Sequence, residues 1–237
     1  MNSVLSEILQ TGVVQDRDGR SLSIQASALT AEAGHLLYDL VRQLRPARTL
    51  EVGLAYGIST LSICQALHDN GGGSHTAIDP GQTEEYQGIG LLNTERADLR
   101  HLVRFFEEPS QRALPRLAAE GETFDLIFID GCHLFDYVMV DAFFSDQLIG
   151  EGGHLAFDDL WMPGVRKAVS FMLRNRSYSL VRSASRTPAR RRILRMGRRI
   201  LQNPVSPDWT LKLVPENVAI LKKGGADRRR WDFHRPF

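Results

Sequence analysis

The chain has 237 residues, with 29 Lys and Arg against 28 Asp and Glu, a net charge of +1, 43% hydrophobic and 24% charged residues. These values suit one large globular α/β domain with enough apolar residues for a substantial core. They exclude a disulfide framework, since Cys64 and Cys132 are the only cysteines, and no apolar run is long enough to span a bilayer. The first residues, Met1 to Glu7, lack a basic segment followed by an apolar one, so no signal peptide is expected and a cytoplasmic location follows by default.

In chain order, residues 3–10 read as a short amphipathic helix. Residues 27–44 place Leu29, Ala33, Leu36, Leu37, Leu40, Val41 and Leu44 at helical spacing, and Pro46 ends that helix. An alternation follows. Strand 48–53 leads to helix 58–69, and the turn Asn70 to Gly73 leads to strand 75–79. A polar stretch, 81–90, precedes a helix near 90–99. Strand 102–107 leads to helix 110–120, and strand 124–130 to helix 134–148. The turn Gly150-Glu-Gly-Gly153 leads to strand 154–158, and helix 163–175 follows. Strands near 178–182 and 217–222 complete the set. Strands alternating with helices predict a Rossmann-like, seven-stranded, mostly parallel sheet with helices on both faces and an antiparallel edge strand. The whole chain, 1–237, reads as one domain: residues 1–45 are an N-terminal helical addition, 183–210 a basic insertion between the last two strands, and 224–237 a charged, aromatic tail.

Ligands of open α/β sheets sit beyond the carboxyl ends of the strands. Here every core strand ends in carboxylates: Glu51, Asp79, Glu107 with Glu108, Asp130, and Asp158 with Asp159. Each acid alone could cap the following helix. Together they need cations, because like charges buried near one another are costly. The spacing Glu51-x-Gly53-x-x-x-Gly57 is not the G-x-G-x-x-G that cradles a pyrophosphate. Gly53 and Gly57 allow close backbone approach or positive φ. An acid before the first glycine repels a diphosphate and suits a cationic nucleoside, which argues against a dinucleotide oxidoreductase. Asp79 is suited to both hydroxyls of a ribose.

Glu51-x-Gly53-x-x-x-Gly57-x-Ser59, Ala77-Ile-Asp79, Phe124-Asp-Leu-Ile-Phe-Ile-Asp-Gly-x-His133 and Gly152-Gly-His-Leu-Ala-Phe-Asp-Asp159 resemble the class I S-adenosylmethionine-dependent methyltransferases. Within these they are most similar to the bacterial small-molecule O-methyltransferases related to catechol O-methyltransferase. The resemblance runs from about residue 30 to 182. It implies S-adenosylmethionine as cofactor, with Glu51, Gly53, Tyr56 and Gly57 on its methionine part. Ser59 and Thr60 would serve its carboxylate, Asp79 the ribose, Ser110 and Gln111 the adenine edge, and Asp130 the amine or a metal. Ala55 replaces a frequent third glycine. The resemblance further implies Mg²⁺ held by Asp130, Asp158 and Asp159, since oxygen donors suit that ion, and His133 as general base, because imidazole titrates near neutrality. The alternatives for Asp158 and Asp159 are capping of the helix at Pro163 or binding a substrate amine without metal, and for His133 a structural role.

The expected reaction is methyl transfer to a hydroxyl of a small-molecule acceptor, a sugar or natural product. One compositional anomaly stands apart: eight arginines and no acid between Arg182 and Arg199. Residues 190–201 would make a helix with one apolar and one basic side. It would act as a solvated arm or homo-oligomer contact, a lid for an acidic acceptor, a membrane-surface segment, or an RNA contact. The last would make the protein an RNA methyltransferase, and a non-catalytic cofactor-binding protein is a further alternative. Trp161, Trp231, Phe233 and Tyr86 are candidate walls of an acceptor pocket, with ordinary packing as the alternative.

Overall fold

The computed structural model describes residues 2–24, 29–181, 188–202, 204 and 209–237. The chain divides into two compact units, Met1–Arg116 and Leu117–Phe237.

The first unit opens with α1 (Ser3–Thr11), capped by the Asn2 side chain, and a hairpin of β1 (Val13–Gln15) and β2 (Ser21–Ser23). The hairpin was not expected from the sequence. Its signal was the Asp18-Gly19 pair, with Gly19 at φ 80° and Asp16 accepting from the Asp18 and Arg20 amides. Next comes α2 (Ala31–Leu44), started by Thr30, whose hydroxyl accepts from Ala33, and closed by Arg45 in the left-handed region. The expected start of this helix at Ser27 lies outside the described residues. Then β3 (Arg48–Val52), α3 (Ile58–Asp69), β4 (Ser74–Ile78), α4 (Ile89–Arg96) and β5 (Val103–Phe106) alternate, and α5 (Ser110–Ala119) follows. β3 pairs with β4 and β4 with β5, both in parallel. β3 and β4 are buried beyond their first residues, as parallel strands covered on both faces are, although Thr49, Glu51, His75 and Thr76 are polar. Leu5, Ile8 and Val14 share a core with Leu54, Leu61, Cys64, Ala77 and Val103, so the N-terminal addition packs onto this unit.

The second unit holds β6 (Phe124–Ile129), α6 (Phe135–Leu148), β7 (Ile149–Phe157), α7 (Pro163–Asn175), β8 (Tyr178–Val181), α8 (Ala189–Gln202), α9 (Trp209–Lys212) and β9 (Ala219–Lys223). β6 and β7 are parallel, while β9 runs antiparallel to both β7 and β8. The seven strands β3 to β9 form one sheet in the order β5-β4-β3-β6-β7-β9-β8, as expected for a Rossmann-like fold with antiparallel pairing at one side. One expectation is corrected. Gly150 to Gly153 is not a separate turn but lies inside β7. Phe124 pairs with Ile149 and Leu126 with His154, so extra residues loop out between those pairs, with Gly152 at φ 82°.

Candidate active site

In the first unit the segment after β3 forms a tight corner. Gly53 and Gly57 take φ 94° and 79°, and Gly57 stands as the N-cap of α3. Ala55, where relatives often carry glycine, also has positive φ, at 47°. Such a conformation costs an L-residue roughly 1–2 kcal/mol. Side chains offset it by holding both ends of the Ala55 peptide. One carboxylate oxygen of Asp79 accepts from the amides of Leu54 at 2.9 Å and Ala55 at 2.7 Å, and the Gln82 amide donates to the Ala55 carbonyl at 2.9 Å. Asn93 donates to the Tyr56 carbonyl at 2.9 Å, and the Tyr56 ring meets Tyr86 edge-on, 5.2 Å between centroids. Behind the corner sits Gly90, where a Cβ would strike Leu54 and the Ala55 carbonyl, so only glycine admits this approach.

Asp79 is buried, and its second oxygen accepts from the Gly81 amide at 2.8 Å. Both oxygens therefore hold backbone, and Asp79 shapes the corner as well as standing at the strand end. Glu51 is fully buried beneath it. One of its oxygens accepts from the Thr60 hydroxyl and lies 3.2 Å from His75 Nε2, while the other has no hydrogen-bond partner. An unpaired carboxylate oxygen buried at a strand end retains its demand for a donor or cation. Ser59 is buried at the start of α3, Ser110 opens α5, and Gln111 beside it is exposed. Glu107 accepts from the Thr83 amide and hydroxyl at 2.6 and 2.9 Å. Cys64 is core, and burial pushes its thiol pKa up.

The second unit gathers Asp130, His133 and Asp159, half-buried, with ligand atoms within 4.8 Å of one another. Asp130 and Asp159 follow β6 and β7, and His133 lies in the loop before α6. His133 Nε2 stands 3.3 Å from Asp130 Oδ1 and 3.1 Å from Asp159 Oδ2. The hydrogen bond to Asp130 raises the His133 pKa from its ordinary value, against the opposing effect of burial. The His133 loop is held by α7: a Cβ on Gly164 would lie 3.0 Å from the His133 carbonyl.

Asp158 is not part of this close group. It is buried behind it, its amide donating to the Ile129 carbonyl at 3.1 Å and its Oδ1 accepting weakly from Asn217 at 3.3 Å. Burial, then Asp130 and Asp159, push its pKa well above the usual carboxylate range. Asn217 was missed by the sequence reading. Its amide donates to Asp159 Oδ1 at 2.9 Å, its oxygen accepts from the Trp161 amide at 3.2 Å, and its carbonyl accepts from the Leu160 amide at 2.9 Å. Trp161 donates its indole N–H to Asp159 at 2.8 Å. Asp159, at φ 54°, is thus fixed from two sides. Of the aromatic candidates for an acceptor wall, Trp161 stands at this cluster, Tyr86 belongs to the first unit's corner, and Trp231 is 94% exposed.

The arginine block is helical from Ala189; Arg182 and Arg186 lie outside the described residues. Arg199 is wholly buried, donating to the carbonyls of Val214 and, at 2.7 Å, Glu216, and the Arg198 guanidinium stands 5.6 Å over the Trp161 ring. Burial and the neighbouring Arg166 and Arg195 lower the Arg199 pKa to about 10.

Residues 50–160 match the family described as methyltransferase domain. The chain is 31% identical over 125 residues to a probable caffeoyl-CoA O-methyltransferase of Dictyostelium discoideum, covering 51% of this chain and 47% of that protein. It is 31% identical over 136 residues to a caffeoyl-CoA O-methyltransferase of Petunia hybrida, covering 56% and 54%. The chain spans about half the length of these curated relatives. Its fold is similar to that of the O-methyltransferase TomG of Streptomyces achromogenes, solved with S-adenosylmethionine (TM-score 0.65, 19% identity, 95% of this chain and 91% of that one). It is likewise similar to an O-methyltransferase of Bacillus cereus solved with S-adenosylhomocysteine (0.63, 21%, 76% and 83%). Fold, motif order and these matches together make the chain similar to the class I S-adenosylmethionine-dependent methyltransferases, with residues 50–160 the part the family covers. Its relatives by sequence are O-methyltransferases of the caffeoyl-CoA type.

Proposed function

We propose that this protein transfers a methyl group from S-adenosylmethionine to a hydroxyl of a small molecule, such as a sugar or natural product. The observation that carries the reading is the Asp130–His133–Asp159 group, an imidazole bridging two carboxylates just past the strand ends. The sulfonium nucleoside would be taken by the first unit's corner. Glu51 keeps an unpaired buried oxygen there, which suits a positive ligand and disfavours a diphosphate. Gly53, Tyr56, Gly57, Ser59 and Thr60 would meet the methionine part, Asp79 the ribose, Ser110 and Gln111 the adenine, and Asp130 the amine. The family match at 50–160 runs through both compact units, which supports reading 1–237 as one catalytic domain.

In the proposed reaction the acceptor oxygen attacks the methyl carbon in line with the carbon–sulfur bond. That bond breaks, S-adenosylhomocysteine leaves, and the hydroxyl proton passes to the Asp130–His133–Asp159 group. Asp130 and Asp159 orient the imidazole and stabilise the imidazolium. No covalent enzyme intermediate is required.

The residues also fit a divalent cation. Asp130 and Asp159 stand together with His133, Asp158 follows in the chain beside Asp159, and carboxylate oxygens match the preference of Mg²⁺. Asp130 and Asp159 would hold such an ion, with Asp158 behind them. When bound it would orient the acceptor hydroxyl and lower its pKa.

A cytoplasmic setting belongs to the same proposal, since both cysteines are free and suit a reducing compartment. Among the described residues no helix is long and apolar enough to cross a membrane. A homo-oligomer is proposed through α6, which exposes Tyr137, Val140 and Phe143 at helical spacing. Titration calorimetry of the protein with S-adenosylmethionine, and separately with NAD, tests the cofactor. Binding of NAD, or of neither, would sink the proposal.

A further inference from the structure

The helix α8 is amphipathic in the reverse of the usual sense. Ile193, Leu194, Met196, Gly197, Ile200 and Leu201 share one face by their spacing of three and four, and the arginines other than Arg190 take the opposite side. In an ordinary surface helix the apolar face turns inward. Here Arg199 on the basic face is the buried residue, Gln202 accepts from Arg166 at 3.1 Å, and Arg198 covers Trp161. Met196 and Ile200 are half-buried at one margin of the apolar face, and the rest is left outside: Ile193 is 69% exposed, Leu194 63% and Leu201 82%. The underside is fixed by named bonds, so this orientation is built in.

What covers such a strip must accept both apolar side chains and a strong positive field. Between Asp159 and Asp208 the chain carries twelve basic residues and no acid. Arg190, at the N-terminal end of the strip, and Arg192, beside it, are exposed. A second copy of the helix would bring arginines against arginines. A nucleic acid would pair with the arginines and leave the leucines in water. A lipid surface with anionic headgroups satisfies both demands: headgroups meet the arginines, and the strip enters the acyl boundary. We propose that α8 docks this protein on anionic membrane surfaces, lying in the interface plane with Ile193, Leu194 and Leu201 inserted. The assignment does not depend on the catalytic reading.

Co-sedimentation of the full chain with vesicles tests it. Phosphatidylcholine vesicles containing phosphatidylglycerol should bind the protein, and pure phosphatidylcholine vesicles should not. Leu194→Asp with Leu201→Asp, both at exposed positions, should lower the partition coefficient at least about tenfold. Arg190→Gln with Arg192→Gln should lower it by roughly fivefold for each arginine removed, and added salt should act in the same direction. Should the double aspartate variant lose its circular dichroism, Leu201→Ser serves in its place. Equal binding to neutral vesicles, or binding unchanged by these substitutions, would overturn the proposal. So would self-association that the leucine variant abolishes, or retention on single-stranded RNA without vesicle binding.

Discussion

The two strand-end regions use acids in opposite ways. In the first unit the carboxylates are largely consumed by the fold. Asp79 accepts three backbone amides, Glu107 holds Thr83, and Glu51 keeps one oxygen for Thr60. In the second unit Asp130 and Asp159 flank one imidazole, Asn217 holds Asp159, and burial together with these two acids drives the Asp158 pKa upward. The first region is a seat shaped mostly by satisfied bonds, with one buried Glu51 oxygen left open. The second retains charge that chemistry or a cation can use. A shaped corner resists substitution through stability, and a charged cluster through activity.

The largest effect should come from the second region. Asp130→Ala with Asp159→Ala should reduce methyl transfer by at least about 10³-fold, while calorimetry shows S-adenosylmethionine still bound. A double variant that keeps its rate would remove the cluster from the chemistry. Next, Asp79→Ala should destabilise the fold by about 3 kcal/mol, because three amides lose a charged acceptor in a buried place. Urea unfolding measures this, and Asp79→Asn should recover part of it. If stability is unmoved, the corner is not held as described.

Asn217→Ala tests how Asp159 is positioned. It should lower kcat by roughly 10- to 100-fold, in the manner of groups that orient ligands and bases, with a smaller change in KM. A drop in KM alone would contradict that role. The pH dependence of stability should separate the regions again. The His133 pKa is raised, so its ion pairing stabilises the ion-free protein fully below the ordinary imidazole range and is lost as pH rises through the raised value. The loss should stay under about 1 kcal/mol for this partly exposed pair. His133→Gln should flatten the curve in denaturant melts run across neutral pH. The smallest change is a gain: Ala55→Gly should relieve the positive φ and stabilise by about 0.5 kcal/mol after the entropy of the added glycine is counted. A loss of stability would mean the Ala55 methyl makes contacts that outweigh the strain.

Much of the fold was legible because its signals are local. The alternation of apolar runs with helical patterns, the glycines after β3 and the acids at the strand ends each lie within a few residues of the feature they specify. Ala55 was visible as a departure, and the structure supplies the reason it is tolerated: Asp79 and Gln82 hold its peptide from outside the loop. The hairpin Val13–Ser23 escaped because three-residue strands show too little alternation, though Asp18-Gly19 marked its turn. Gly150 to Gly153 read as a turn because glycine is common both in turns and in bulges.

By itself the sequence determined the order of elements, the parallel character of the sheet and the carboxylates at the strand ends, since burial and turn chemistry act through neighbours in the chain. The tertiary structure alone decided which acids are satisfied and which are not. It brought Asn217 to an aspartate 58 residues earlier. It buried Arg199 and turned the apolar side of α8 outward. A helical pattern states that two faces differ, but only packing against the rest of the unit chooses which of them meets the solvent.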